Sequence, residues 1–377
     1  MTLSTPLLAA VPLVAGLMGP ALVGATPPQR PVHPPAHADH DPPRARDAGP
    51  DAARATRAGQ ASRPDVVEHV AARGPSDQQR VLGYWTARRM AAALPIDLVG
   101  SLPGGGLLGG LTGRAGGPGV PGLSGTTARQ ASPDRRPAVS RHHSARPQQT
   151  TYGARWSTGG AVTRTTGRVF MTMNGVDFVC SASTVKSANR DVVVTAGHCV
   201  KDGAGQWADN WTFVPGYRDG GGHPYGRYPA RRMFVAGPWS RSADDSYDVG
   251  MVVLGTSSGR HVADVVGAQE IAFNQPRGGQ AFGFGYPADP PYNGEHLVYC
   301  AGRLRADPHG ETRDQGLGCD MTAGSSGGPW LSGFDHDTGK GTLTSLSSFK
   351  YSDDQRTMYG PYFGEAVKTL FTTAERA

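Results

Sequence analysis

The first 150 residues contain no lysine, and no cysteine occurs before residue 180. That opening stretch holds 16 arginines against 9 acidic residues, a formal charge of +7. Residues 151–377 hold 21 basic and 22 acidic residues, a formal charge of −1. The basic excess of the chain therefore lies entirely in its first part. Such an excess can mark a nucleic-acid partner. Here the arginines are scattered among Pro, Ala and Gly with no interleaved aromatics, which argues against nucleic acid.

Long apolar runs are equally scarce. The one at the N-terminus, "TPLLAAVPLVAGLMGPALVGA", ends in Val23-Gly24-Ala25, a small-residue cleavage pattern. No Lys or Arg precedes it, so it is an atypical signal peptide over residues 1–25. Three prolines and the lack of a charged flank argue against a membrane span, and no later stretch is long and apolar enough for stable membrane insertion. Secretion to the extracellular space is the expectation.

The four cysteines are Cys180, Cys199, Cys300 and Cys319. None has CxxC spacing, and no second pair completes a zinc-like cluster. No metal or cofactor motif is visible, so neither is expected. An even count in an exported chain predicts disulfides. Pairing nearest neighbours gives Cys180–Cys199 and Cys300–Cys319.

Texture divides the rest. Residues 26–62 have the Pro-, Ala- and Arg-rich composition of disorder. In "SDQQRVLGYWTARRMAAALP", Ser76 and Gln79 have capping-box spacing. Val81, Leu82, Trp85 and Ala92 fall on one helical face, which predicts a helix near 76–93 ended by Pro95. Residues 99–150 return to Gly-rich and then Arg-, Ser- and Gln-rich linker. From about residue 152, short β-type runs such as "GRVFMTM", "DFVCSASTV", "DVVVTAGHCV" and "QAFGFGY" alternate with turn residues. That density implies an all-β sandwich or barrel. A helix is expected only at the end, over "GEAVKTLFTTAER".

Three stretches carry chemistry. In "VVVTAGHCV", a β-branched run delivers His198 among small neighbours that let the imidazole turn. In "SADDSYDVGMVVL", Asp248 stands at the mouth of an apolar strand, where a carboxylate can be desolvated and hold a histidine Nδ1–H. Asp244 and Asp245 compete for that role from the adjoining polar loop. In "CDMTAGSSGGPW", Ser325 and Ser326 sit among glycines. A tight turn there would aim the N–H groups of Gly324 and Ser326 at one oxygen, an oxyanion hole. The order His198, Asp248, Ser326 is one of the convergent triad orders. G-x-S-x-G also marks the α/β-hydrolase elbow, but that fold needs an acid and then a histidine after the serine. Only His336 follows, ten residues on.

"TAGHC", "DVGMVVL" and "GSSGGP" together resemble the chymotrypsin-like serine peptidases, most closely the bacterial secreted branch with trypsin-like and glutamyl-endopeptidase-like enzymes. The resemblance covers roughly residues 155–377. It implies two six-stranded antiparallel β-barrels with the site in the cleft between them. It also implies His198 as general base, Asp248 as its orienter and Ser326 as nucleophile. Ser325 departs from the pattern: many relatives carry Asp there, which pairs with a freshly cut N-terminal amine. Gly197 departs too, standing where Ala is usual. Asp320, six residues before Ser326, stands where trypsin-like relatives place the carboxylate that binds Lys or Arg at P1. Glutamyl-type relatives can carry Asp near this position as well, but "GTLTSLSSFKY" lacks their histidine.

The expected protein is a secreted serine endopeptidase acting on protein or peptide substrates. Its domains are a signal peptide (1–25), a pro-segment (26–150) and a peptidase domain (151–377). The pro-segment is the expected internal partner, covering the domain until cleavage in the tract Arg141–Arg155. The rivals are a glutamyl-type or broad-specificity peptidase, a catalytically silent binding module, and a surface protein that keeps residues 26–150.

Overall fold

The strand-dense texture closes on itself. In the computed structural model the described residues are 65–96, 148–218, 220 and 222–377. All of them fall in one compact unit, Gln60–Ala377. The apolar run at 1–25, the stretch at 26–62 and most of the linker at 99–150 lie outside the described residues.

Residues 65–96 form β1 (Val66–Val70), α1 (Pro75–Tyr84), α2 (Ala87–Ala92) and β2 (Leu94–Pro95). The single helix expected near 76–93 is thus two. The Ser76 capping box does not form, because Gly74 is the N-cap of α1 and no side chain caps it. Pro75 presets the helical φ and has no N–H to lose at that position, so the helix starts ahead of Ser76. Thr86 starts α2 by accepting a hydrogen bond from the Arg89 N–H at 3.2 Å. The break between the helices lets Trp85 turn inward, where it is 2% exposed. Val81, Met90 and Ile96 are buried with it, while Ala92 is exposed. Each such apolar side chain contributes roughly 1.5–3 kcal/mol by leaving water.

The chain continues through β3 (Thr151–Arg155), β4 (Thr166–Met173), β5 (Val176–Thr184), β6 (Val192–Thr195), β7 (Asp209–Pro215), β8 (Tyr228–Ala236) and β9 (Gly250–Leu254). β4 to β9 close a six-stranded antiparallel barrel: β4 pairs with β5 and β7, β6 with β5 and β9, and β8 with β7 and β9. β1 extends this barrel on the edge of β8, in register from Val66↔Ala236 to Val70↔Arg232. β2 lies parallel to β5.

The second half supplies β10 (Glu270–Ile271), β11 (Gln280–Gly285), β12 (Val298–Arg303), β13 (Arg305–Ala306), β14 (Gln315–Gly318), β15 (Pro329–Asp335), β16 (Lys340–Leu346), β17 (Phe349–Tyr351) and β18 (Asp354–Gly360). They form a six-stranded sheet, β10-β16-β15-β11-β12-β3, and a four-stranded sheet, β13-β14-β18-β17. Because β3 is paired with β12 as far as Arg155, the expected cut in the tract Arg141–Arg155 would spare the sheet only ahead of Thr151. The expected C-terminal helix is present at Glu365–Ala374, with Leu370 and Ala374 fully buried. It is not the sole helix past residue 152, as was expected: short helices also form at Val162–Thr165, Gly237–Ser242 and Val262–Val266. Both disulfides form as expected, Cys180–Cys199 and Cys300–Cys319.

Candidate active site

Two strand ends bring the first pair together. β6 and β9 run antiparallel with Thr195 opposite Gly250, so the residues just past β6 meet those just before β9. A 3-10 turn over Gly197–Cys199 carries His198 out of β6, and another over Asp245–Tyr247 leads into Asp248. The Asp248 carboxylate is 1% exposed. Its Oδ1 accepts the backbone N–H of His198 at 2.7 Å, and its Oδ2 lies 2.8 Å from His198 Nδ1. The Ser348 hydroxyl donates to the same Oδ2. Sequence reasoning did not single out Ser348; it sits just ahead of β17 in a polar run with no motif of its own.

Gly197 has a physical reason here. A Cβ at that position would lie 2.8 Å from Asp248 Oδ1 and 3.0 Å from the Trp239 ring. The glycine lets the acid and the indole close around the histidine turn.

Burial penalises both ionised partners, yet the ion pair overrides it. Desolvation alone would push His198 down, but the Asp248 charge and hydrogen bond leave it raised above the usual 6.5. Desolvation likewise pushes Asp248 up, and His198 with Ser348 pull it below the usual carboxylate value. Asp245 is driven the other way, up to about 7, first by burial and then by the Asp248 charge.

Ser326 reaches the same place from the second half. Gly324 and Gly327, at φ +92° and +79°, flank the two serines. A Cβ on Gly327 would lie 2.1 Å from Thr195 Oγ1, so only glycine lets this loop lie against β6. The Ser326 carbonyl accepts the N–H of Ser181 at 2.8 Å. Ser181 Oγ donates to the Gly324 carbonyl at 3.0 Å and accepts the Tyr286 N–H at 2.9 Å. Ser325 is turned inward, its Oγ donating to the Thr322 carbonyl at 2.7 Å. The loop is therefore held both by a bond within itself, from Ser325 to Thr322, and by Ser181 of β5. Ser326 Oγ and His198 Nε2 are both buried without a hydrogen-bond partner among the described residues. Gly324 and Ser326 donate their N–H groups to no backbone carbonyl among the described residues.

Asp320, the residue expected to bind Lys or Arg at P1, is exposed. The Tyr292 hydroxyl donates to its Oδ1 at 2.7 Å. It also acts electrostatically on Lys350, a buried amine on β17 that donates to the Gln355 carbonyl at 2.6 Å. Burial pushes that amine down to about 8, with Asp320 pulling the other way. The sequence reading missed Lys350.

Cys180, His198 and Cys199 are the only group of three potential metal ligands found close together among the described residues. The two sulfurs are joined in a disulfide, so they offer no thiolate to a metal.

No protein-family profile matches the chain. Among solved structures it is similar to the protease Anisep of Arthrobacter nicotinovorans, with 39% identity and a TM-score of 0.54, over 57% of this chain and 96% of that one. It is similar to the thermostable serine protease AL20 of an extremophilic microorganism, with 41% identity and a TM-score of 0.54, over 58% and 99% of the two chains. Among curated proteins it is 35% identical over 104 residues to an extracellular metalloprotease of Bacillus subtilis, covering 28% of this chain and 33% of that protein. It is 39% identical over 71 residues to a glutamyl endopeptidase of Bacillus licheniformis, covering 19% and 22%. The chain thus matches a third or less of the length of these curated relatives, but nearly all of the solved ones. With that coverage and identity to the solved serine proteases, the chain belongs to the chymotrypsin-like serine proteases.

Proposed function

We propose that the chain is an exported serine endopeptidase in which Ser326, His198 and Asp248 act as one unit. The observation that carries this is the pairing of His198 Nδ1 with a buried Asp248 at 2.8 Å, while His198 Nε2 and Ser326 Oγ are buried with no hydrogen-bond partner among the described residues, each other included. Asp248 fixes the tautomer that leaves Nε2 free to accept a proton. Ser326 Oγ attacks the substrate carbonyl as Nε2 takes its proton. The N–H groups of Gly324 and Ser326 receive the oxyanion. His198 then returns the proton to the leaving amine, and water releases the acyl group by the same steps. A fluorophosphonate tests the reading. Peptide mapping should find the label on Ser326 and none on Ser325, whose hydroxyl is committed to Thr322. Label on Ser325, or on neither, overturns it.

An intact dyad and nucleophile oppose the silent-module rival. Residues 1–25 and 26–150 are read as export signal and pro-segment. Ser325 already holds the loop by internal hydrogen bonds, so maturation here removes a cover and needs no new N-terminal ion pair.

His198 must be neutral to act as a base. Its raised pKa places the acid limb of kcat/KM above pH 6.5, with activity rising as pH rises. Asp245 is among the charges that hold it up. Asp245→Asn should therefore move the acid limb to lower pH with little change in the plateau. An unmoved limb would show that Asp245 does not act on the histidine.

For P1, Asp320 supports Lys or Arg, and Lys350 beside it supports an acidic residue as the second reading. A peptide-library profile decides between them. Under the first reading, basic P1 dominates and Asp320→Ser abolishes the preference. A profile dominated by Glu or Asp, lost in Lys350→Ala, rejects it.

A further inference from the structure

We propose that residues 65–96 are a two-part inhibitor that outlasts cleavage of the chain. An anchor, β1 with α1 and α2, stays docked on the first barrel. A short strand, β2, holds the barrel edge beside the nucleophile. The proposal rests on the serine-protease reading of the site.

The anchor is joined to the barrel at many separate points. β1 pairs with β8 over five residues. Trp85 is inserted with its ring centroid 5.5 Å from that of Phe170, and its indole N–H donates to the Asn210 carbonyl. The Tyr84 hydroxyl donates to Asp177 at 2.7 Å. From the barrel, Arg227 donates to the carbonyls of Leu82 and Trp85 at 3.2 and 2.8 Å. Every one of these contacts is non-covalent and lies within 65–96 on the segment's side. A cut anywhere in 97–147 breaks none of them.

β2 sits where it matters for access. The Ile96 N–H donates to the Val179 carbonyl at 3.3 Å, and two residues further along β5 the Ser181 N–H donates to the Ser326 carbonyl at 2.8 Å. Groups two residues apart on a strand face the same edge, roughly 7 Å apart. Pro-segment and nucleophile loop thus share one edge of β5, which the Cys180–Cys199 bridge ties to the residue after His198. β2 runs parallel to β5, so the chain advances toward Ser326. Ile96 is 1% exposed, and Ser326 is fully buried in the chain that carries the segment. An extended peptide adds to a free strand edge through main-chain hydrogen bonds. With β2 in place, that edge is filled at Phe178 and Val179.

Cutting therefore changes an internal inhibitor into a bound one, whose grip depends on concentration. The solved relatives match only 57% and 58% of this chain while being covered almost completely. A domain of their size stands without such a segment.

The test uses the full chain with a site for a specific protease placed between residues 120 and 140. After cutting, the fragment bearing 65–96 should co-elute on gel filtration with the fragment that carries residues 151–377. Hydrolysis of an extended peptide should stay low at micromolar protein and rise at least tenfold on dilution. Ile96→Pro removes the donor N–H of β2 and should leave the fragment bound while raising peptide hydrolysis at least tenfold. Trp85→Ala should release the fragment at higher protein concentration. If Trp85→Ala does not fold, Ile96→Pro and the dilution series still decide. A fragment that separates at once on cutting overturns the proposal. So does a bound fragment that leaves peptide hydrolysis at the rate of the segment-free domain. Fluorophosphonate labelling of that domain is the control: its absence defeats the protease reading itself, and its presence confines any failure to the inhibitor.

Discussion

Ser326→Ala is expected to abolish peptide hydrolysis, with turnover falling by about 10⁶, the loss found when one member of such a unit is removed. What remains is the stabilisation that substrate binding and the Gly324 and Ser326 N–H groups still supply, about 10³–10⁴ over the reaction in water. His198→Ala should cost about as much, and the double replacement scarcely more, because a base without its nucleophile has nothing to activate. The fold should survive, since Ser326 holds its place through its carbonyl on Ser181 and its hydroxyl has no hydrogen-bond partner among the described residues. Steady-state assays of the three variants, with a melting curve for each, check this. Substantial activity in Ser326→Ala would remove the nucleophile assignment.

Asp248→Asn is expected to cost on the order of 10⁴ in kcat with the structure preserved. Three donors converge on this carboxylate: the His198 backbone N–H, His198 Nδ1–H and the Ser348 hydroxyl. An amide has one oxygen to offer them. Its NH₂ must face the backbone N–H or the imidazole, and facing the imidazole drives the ring to the tautomer with its proton on Nε2. That proton blocks acceptance from Ser326. Asp244→Asn should have little effect, because that side chain caps the Ser246 N–H at 3.1 Å. If Asp244→Asn or Asp245→Asn proves the crippling change, the acid has been misassigned.

Much of this was legible because its signals are local. β-branched runs made β4, β5, β6 and β9 visible, and strand ends predicted where His198 and Asp248 would emerge. β8 was missed because "YPARRMFVA" opens near a proline and carries two arginines, breaking the apolar pattern that marks a strand. β1, "VVEHV", alternates too weakly to stand out, and its strand character comes from an edge supplied by residues some 165 positions away. Ser348 and Lys350 were hidden for a related reason. Their roles depend on long-range partners, Asp248 and Asp320, that no spacing rule connects to them. Asp320 shows the converse: its position was found by analogy, but its exposure depends on Tyr292 and the surrounding loops.

The pairing of β1 with β8 also bears on how the domain behaves as a material. Once β1 departs, the edge of β8 from Arg232 to Ala236 that faced it loses its backbone partners while the other edge stays paired with β9, and the apolar Met233, Phe234 and Val235 lie in that stretch. An unpaired apolar edge is a template for strands of other molecules. Arg231 and Arg232 put two positive charges on that edge, which discourage copies from aligning on one another. Chains made from residue 151 onward should therefore be more prone to cloud and precipitate in high salt, where that repulsion is screened, than chains that still carry residues 65–96.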